Sequence, residues 1–237
     1  MIKYSEKYIE YFNERFLMGP NSIRLLDELL MRHPIHMSRN NKILDLGCGK
    51  GLTSMFLANE VGATVYANDL WIKAEDNLKQ FTEWNIRDYV IPSCEDANNL
   101  SFKTKTFDAL FSVDAYHYFA GKEGFFQKKI LPFVKEGGII YIAIPGIKEE
   151  FEGQQKELLK EWLGDEAGLF HSCNWWKQII GKNDEMEFVD VWEMENFSLA
   201  WESWLAVNNK FAVGDKAYYG TLIKRYTDFV GIVVKKK

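Results

Sequence analysis

Cysteine is scarce in this chain. Cys48, Cys94 and Cys173 show no C-x-x-C interval and cannot all pair with one another, so a reducing compartment is expected. Long apolar runs are missing as well. Nothing approaches the ~20 consecutive apolar residues of a membrane span, and the start Met1-Ile2-Lys3-Tyr4-Ser5-Glu6-Lys7 has no long apolar core, so a soluble cytoplasmic protein without a membrane span is expected. Excess positive charge is also absent: 29 basic side chains face 34 acidic ones, a formal net charge of −5, which argues against a mainly electrostatic grip on nucleic acid. The closing Lys235-Lys236-Lys237 reads as a solvated tail. No internal repeat or low-complexity segment occurs, nothing in the composition favours disorder or fibre, and 237 residues suit one α/β domain with a decorated edge.

What is present centres on Lys42-Ile43-Leu44-Asp45-Leu46-Gly47-Cys48-Gly49-Lys50-Gly51-Leu52-Thr53. An apolar run bearing one acid leads into three glycines at alternate positions, and a helix-like segment from Leu52 to Val61 follows. The pattern reads as strand, tight turn and helix. Glycine serves where φ is positive or where a ligand approaches the main chain without meeting a Cβ. The following helix aims its free N–H groups at the same place, so a polar or anionic ligand is expected there. The dinucleotide fingerprint G-x-G-x-x-G would need a small residue at position 52, and Leu52 stands there. A second acid, Asp69, ends the apolar run Ala63-Thr64-Val65-Tyr66-Ala67-Asn68, 20 residues after Gly49, a distance that suits a carboxylate accepting from ribose hydroxyls.

The G-x-G-x-G spacing with Asp45 two residues ahead resembles motif I of the class I S-adenosylmethionine-dependent methyltransferases. Further positions carry the likeness up to about Pro145, roughly the middle half of the chain. Ser93-Cys94-Glu95-Asp96-Ala97 resembles the acidic loop that holds adenine in that family, Phe107-Asp108 is the pair common at the start of its fourth strand, and Asp114-Ala115-Tyr116-His117 follows that strand. The resemblance implies a seven-stranded, mostly parallel Rossmann-like sheet with helices on both faces and the last strand antiparallel, inserted between strands 5 and 6. It implies S-adenosylmethionine as methyl donor and S-adenosylhomocysteine as product. The residues it assigns to that cofactor are Asp45, Gly47, Cys48, Gly49, Gly51, Asp69, Leu70, Asp96, Ala97 and Ser112. Gly19-Pro20-Asn21-Ser22 and His171-Ser172 ahead of Trp175-Trp176 resemble a bacterial small-molecule branch of the family, related to cyclopropane-type enzymes.

Taken in order, Tyr4, Tyr8, Tyr11, Phe12 and Phe16 predict an amphipathic helix from Tyr4 to Leu17, and Ile23, Leu26, Leu29 and Leu30 a second one capped by Asn21 or Ser22. Residues 1–34 are expected to cover the cofactor site, the first helix as a lid. Residues 35–237 are expected to form the methyltransferase domain, with a helical insertion at about 148–183 and a helical segment at about 197–227. Strands are predicted at Thr64 to Asn68, Tyr89 to Pro92, Phe107 to Val113, Ile139 to Pro145, Glu187 to Trp192 and Phe229 to Val234. Helices are predicted at Trp71 to Trp84, Gly124 to Val134, Phe197 to Asn208 and Lys216 to Tyr226.

Methyl transfer from a sulfonium is an in-line displacement, so alignment and exclusion of water come first. His117 is the expected base because its ordinary pKa lies near neutrality, with Tyr116 and Asp114 orienting the acceptor. The acceptor is expected to be a small, partly apolar molecule between the end of strand 4 and the aromatic insertion. Nucleic-acid amino-methylation is disfavoured because Asp114-Ala115-Tyr116-His117 replaces an Asn/Asp-Pro-Pro-aromatic tetrad. Pro145-Gly146 replaces the Asp-Asn pair of metal-dependent catechol enzymes, so no metal is implied, and three scattered thiols argue against arsenic methylation. Two competing readings are a protein that binds the cofactor or a related nucleoside without turnover, and a nicotinamide-dependent oxidoreductase, the latter opposed by Leu52.

Overall fold

A computed structural model describes residues 4–237. Seven strands, β1 (Lys42–Leu46), β2 (Thr64–Asn68), β3 (Val90–Ser93), β4 (Phe107–Val113), β5 (Val134–Ile147), β6 (Met186–Glu193) and β7 (Thr227–Lys236), form one sheet in the order β3-β2-β1-β4-β5-β7-β6. The first five run parallel, and β7 pairs antiparallel with both β5 and β6, as the resemblance implies. Central parallel strands are covered on both faces, which is why they read as apolar runs rather than as alternations. Ile43, Val65, Phe111 and Tyr141 belong to one buried cluster, and Leu44, Leu46, Leu110 and Ile142 to the other. Phe111 and Tyr141 stack with ring centroids 4.5 Å apart. The first face is covered by α1 (Ser22–Arg32), α2 (Leu52–Phe56, continued as a π-helical turn Leu57–Val61), α3 (Ala74–Glu83) and α6 (Phe197–Leu205). The second is covered by α5 (Cys173–Ile180) and the turns Phe126–Ile130 and Leu131–Phe133. No helix among the described residues is long and apolar enough to cross a membrane.

Several elements differ from their predicted spans, each for a local reason. The helix expected from Tyr4 to Leu17 is a 3-10 helix over Tyr4–Tyr11 only. Asp27 of α1 accepts from the Tyr4 and Ser5 N–H groups at 3.2 Å each, and the Asn13 side chain turns the chain by accepting from Arg15 N and donating to Glu10 O. The helix expected from Trp71 begins at Ala74, because Asp69 Oδ1 accepts from Trp71 N and Ile72 N and holds those residues in a turn. The helix expected over Gly124 to Val134 breaks into two short turns at Leu131-Pro132, proline having no N–H to continue it. Gly137-Gly138 lie inside β5 rather than before it: β4 pairs Phe107 with Val134 and then Ala109 with Ile139, so these glycines sit in a bulge. The segment after Asn209 is helical from Lys210 rather than Lys216, because the Asn209 side chain caps α7 (Lys210–Tyr218) by accepting from Phe211 N; a turn over Tyr219–Ile223 and α8 (Lys224–Tyr226) continue it. Between β5 and β6, α4 (Gln154–Leu163) and a 3-10 segment Gly164–Leu169 precede α5.

A buried carboxylate ties the N-terminal helix to the far end of the sheet. Glu28 of α1 accepts from Trp192 Nε1 at 2.8 Å, Glu195 N at 2.9 Å and Asn196 N at 2.6 Å. Glu28→Ala strands two backbone N–H groups and an indole N–H together, and is expected to cost about 3 kcal/mol or more. Urea denaturation checks this: a midpoint equal to wild type at unchanged slope would show that water replaces the carboxylate without penalty.

Candidate active site

The carboxyl ends of β1, β2 and β4 open on a cavity of about 400 Å³, a size typical of small-ligand sites. Its floor is the glycine turn. Gly47 N and Cys48 N donate to Asn68 O at 2.8 and 3.1 Å, so the turn after β1 is fastened to the end of β2. Asp69 then collects the neighbouring backbone: Oδ2 accepts from Gly49 N at 2.8 Å, and Oδ1 from Trp71 N at 2.8 Å and Ile72 N at 2.9 Å. Its oxygens keep lone pairs, and Asp69 lines the cavity. Beside it Asn68 accepts from Ser93 Oγ and Glu95 N and donates to Glu95 O, each at 2.9 Å, which anchors the acidic loop. Asp96 Oδ1 accepts from Asn98 N and Nδ2, and the backbone bond to Asn98 holds the Asp96 carboxyl below the usual range.

Of the residues singled out from the sequence, Gly47, Cys48, Gly49, Asp69, Leu70, Asp96, Ala97 and Asp114 line this cavity. Asp45, Gly51, Ser112, Tyr116 and His117 lie outside its lining, each for a visible reason. Asp45 is fully buried beneath the turn, where it accepts from Thr53 Oγ1 at 2.7 Å and Ser54 Oγ at 2.6 Å; burial pushes its pKa up to about 6. Gly51 has φ +83° and faces the Phe81 ring as it starts α2. Ser112 Oγ donates to Leu46 O at 2.7 Å and stitches β4 to β1. These three hold the loop from below. Tyr116 is fully buried against Phe119, Phe125 and Trp176, and burial raises its hydroxyl pKa. His117 faces an adjoining hollow of about 320 Å³ with His171, Trp175 and Trp176. Burial pushes its imidazole down to about 3, which strongly disfavours the protonated form that a general base must reach.

Other lining residues were not picked out as site residues. Met18, Gly19 and Pro20 form one rim with Ser22, so the part of the N-terminal region that borders the cavity is the connector and the first residue of α1, while Tyr8 of the 3-10 helix packs on Phe56 at 5.0 Å. Trp71 and Tyr118 meet edge to face at 5.0 Å on another rim, and both are exposed. No signal in the sequence singles them out, because only the fold puts residues 71 and 118 together at the cavity. Asp114 has φ +56°, and its backbone N–H donates to Ala143 O at 2.7 Å. Burial and the nearby Glu166 push its carboxyl up to about 7.

Comparison with known proteins gives a consistent neighbourhood. Residues 44–142 match a family described as a methyltransferase domain. The 2-methyl-6-phytyl-1,4-hydroquinone methyltransferase of Synechocystis sp. (strain ATCC 27184 / PCC 6803 / Kazusa) is 34% identical over 102 residues, 43% of this chain and 31% of that protein, so the chain matches under a third of that relative's length. Among solved structures, geranyl diphosphate C-methyltransferase from Streptomyces coelicolor A3(2), in complex with Mg2+, geranyl diphosphate and S-adenosyl-L-homocysteine, has a TM-score of 0.71 at 14% identity, covering 100% of this chain and 99% of that one. Phosphoethanolamine N-methyltransferase 2 of Haemonchus contortus, in complex with S-adenosyl-L-methionine, has a TM-score of 0.72 at 19% identity, covering 97% of this chain and 56% of that one. At these identities the structural likeness is one of fold.

Proposed function

We propose, on the premise that residues 44–142 of this chain are a methyltransferase domain on the class I fold, that the protein transfers the methyl group of S-adenosylmethionine to a small acceptor held in the same cavity. One observation carries the reading: the glycine turn and the Asp69 carboxylate that braces it face a single cavity at the carboxyl ends of the parallel strands. The residues fit the cofactor. A Cβ added at Gly49 would lie 3.1 Å from Met18 Sδ, closer than ordinary contact, so a side chain at 49 would narrow the cleft between the turn and the connector. When bound, the cofactor supplies an electrophilic methyl on sulfur.

In this reading the remaining lone pairs of Asp69 take the ribose hydroxyls, Asp96 and the Ala97 N–H take the adenine edge, and Gly47 to Gly49 lie along the amino-acid portion, with Cys48 and Leu70 as walls. Asp45, Gly51 and Ser112 act indirectly by fixing the turn. The connector 16–20 and the Trp71–Tyr118 pair restrict water at the mouth, which an in-line displacement favours. The test is calorimetric titration with S-adenosylhomocysteine, followed by an assay of its release from S-adenosylmethionine with a panel of amines, thiols and phenols. Micromolar-range binding and release with at least one acceptor are expected. Absence of binding removes the reading, and binding without release by any acceptor leaves a cofactor-binding protein instead.

A further inference from the structure

We propose that the methyl acceptor is an amine, and that the Asp114 carboxylate draws in its ammonium form and takes the proton that frees the nitrogen lone pair. This rests on the methyltransferase reading above.

Asp114 is the first residue past β4, and its neighbour Ala115 packs on the glycine turn so closely that a Cβ at Gly47 would stand 2.2 Å from the Ala115 Cβ. The carboxylate therefore sits where the ends of β1 and β4 meet, in the wall of the cavity. A left-handed φ on a non-glycine residue costs free energy and is kept where the surroundings impose it. The connector ahead of α1 closes on the carboxylate from the other side: a Cβ on Gly19 would lie 2.9 Å from Asp114 Oδ2 and would push it aside.

Among the described residues nothing donates a hydrogen bond to the Asp114 carboxylate. Among the described residues no cation forms an ion pair with it. Glu166, on the 3-10 segment after α4, acts on it with like charge, and the Tyr118 hydroxyl feels both carboxylates. From the glycine loop Lys50 lines the same cavity and keeps its charge, with its Nζ turned to Arg15 O at 2.6 Å rather than to Asp114. Asp69, Glu95 and Asp96 line the side of the cavity assigned above to the cofactor, so Asp114 is the carboxylate left for the acceptor. A partly buried carboxylate with a second one nearby and no cation between them is a site for a cationic ligand. The Trp71 and Tyr118 rings at the mouth add faces that attract an ammonium group, and apolar surface for its substituent.

The chemistry balances. The substrate ammonium gives one N–H proton to Asp114, the freed lone pair forms the new N–C bond, the C–S bond breaks with its electron pair going to sulfur, and the product leaves as the N-methylated ammonium ion while Asp114 returns its proton to solvent. A carboxyl held near pH 7 is matched to that exchange at neutral pH. Phenol and thiol acceptors gain nothing from the Asp114 carboxylate, and anionic acceptors are repelled by it.

The test uses the full chain saturated with S-adenosylhomocysteine, into which benzylammonium and its neutral counterpart benzyl alcohol are titrated. Wild type at about pH 8 is expected to prefer benzylammonium by about tenfold or more. The preference should fade as pH drops through about 7, because Asp114 is ionised above that point and protonated below it. Asp114→Asn keeps a residue that tolerates positive φ, so the backbone is retained, and it is expected to bring the two ligands within about twofold at every pH. Equal affinity for the two ligands in wild type, binding of neither, or a preference that survives Asp114→Asn overturns the proposal. Failure to saturate with S-adenosylhomocysteine overturns the methyltransferase reading beneath it.

Discussion

Asp69→Ala is expected to lose S-adenosylhomocysteine binding by about a hundredfold or more and to cost on the order of 3–5 kcal/mol of stability. A carboxylate seen only as a ribose acceptor would affect binding by ~2 kcal/mol, the usual scale for lost charge-assisted bonds. In the folded chain it also accepts from Gly49 N, Trp71 N and Ile72 N, so its removal frees the glycine turn and the turn ahead of α3 together. Asp69→Asn separates the two roles. An amide oxygen can keep the Trp71 and Ile72 bonds, but the amide nitrogen then faces Gly49 N–H, donor against donor, so a smaller loss of stability with a large loss of affinity is expected. Chemical denaturation and calorimetry of both variants check this. An alanine variant with a wild-type midpoint and affinity within about twofold would show that Asp69 neither braces the turn nor meets the ligand.

The central strands were legible in sequence because burial on both faces leaves no choice but apolar runs, and Thr64–Asn68 and Phe107–Val113 coincide with the predicted spans. Where single polar side chains decide the backbone, legibility stopped. Asp27 and Asn13 cut the first helix short, and Asp69 delays α3, each through hydrogen bonds to main chain that periodicity does not record. The site shows the same divide. An acid before the glycines and one after strand 2 were visible as residues, but whether an acid meets the ligand or holds the loop depends on where the neighbouring hydroxyls lie, and Thr53 and Ser54 claim Asp45. Asp114 and His117 stand three residues apart on one connector. Sequence chemistry favoured the imidazole, whereas the left-handed residue at 114 and the short turn Tyr116–Tyr118 bring the carboxyl to the cavity and bury the imidazole beside the adjoining hollow.

Gly47→Val is expected to be far more damaging than a substitution at Gly49, and the reason is what stands opposite. Gly47 has φ +81°, a conformation that costs a β-branched residue roughly 1–2 kcal/mol. Its new Cβ would lie 2.2 Å from the Ala115 Cβ, a group with no rotamer to change, so either the turn after β1 or the connector after β4 must move bodily. Overpacking of this kind typically adds 1–3 kcal/mol. The movement would also shift Gly49 and Asp114 away from each other, and misplacement by about 1 Å can cost about a hundredfold in an aligned reaction. Gly49→Ala provides the contrast. Its φ of +53° carries a backbone cost too, but its Cβ meets the Met18 thioether at 3.1 Å, a flexible chain on an exposed residue, so stability should fall less while cofactor affinity falls steeply because the methyl enters the cleft. Thermal melts paired with S-adenosylhomocysteine titration separate the two variants: Gly47→Val should lose both stability and binding, and Gly49→Ala mainly binding. A Gly47→Val protein that melts and binds like wild type would mean that the turn after β1 and the connector carrying Asp114 are not in contact, and the assembly of the cavity from those two segments would fall with it.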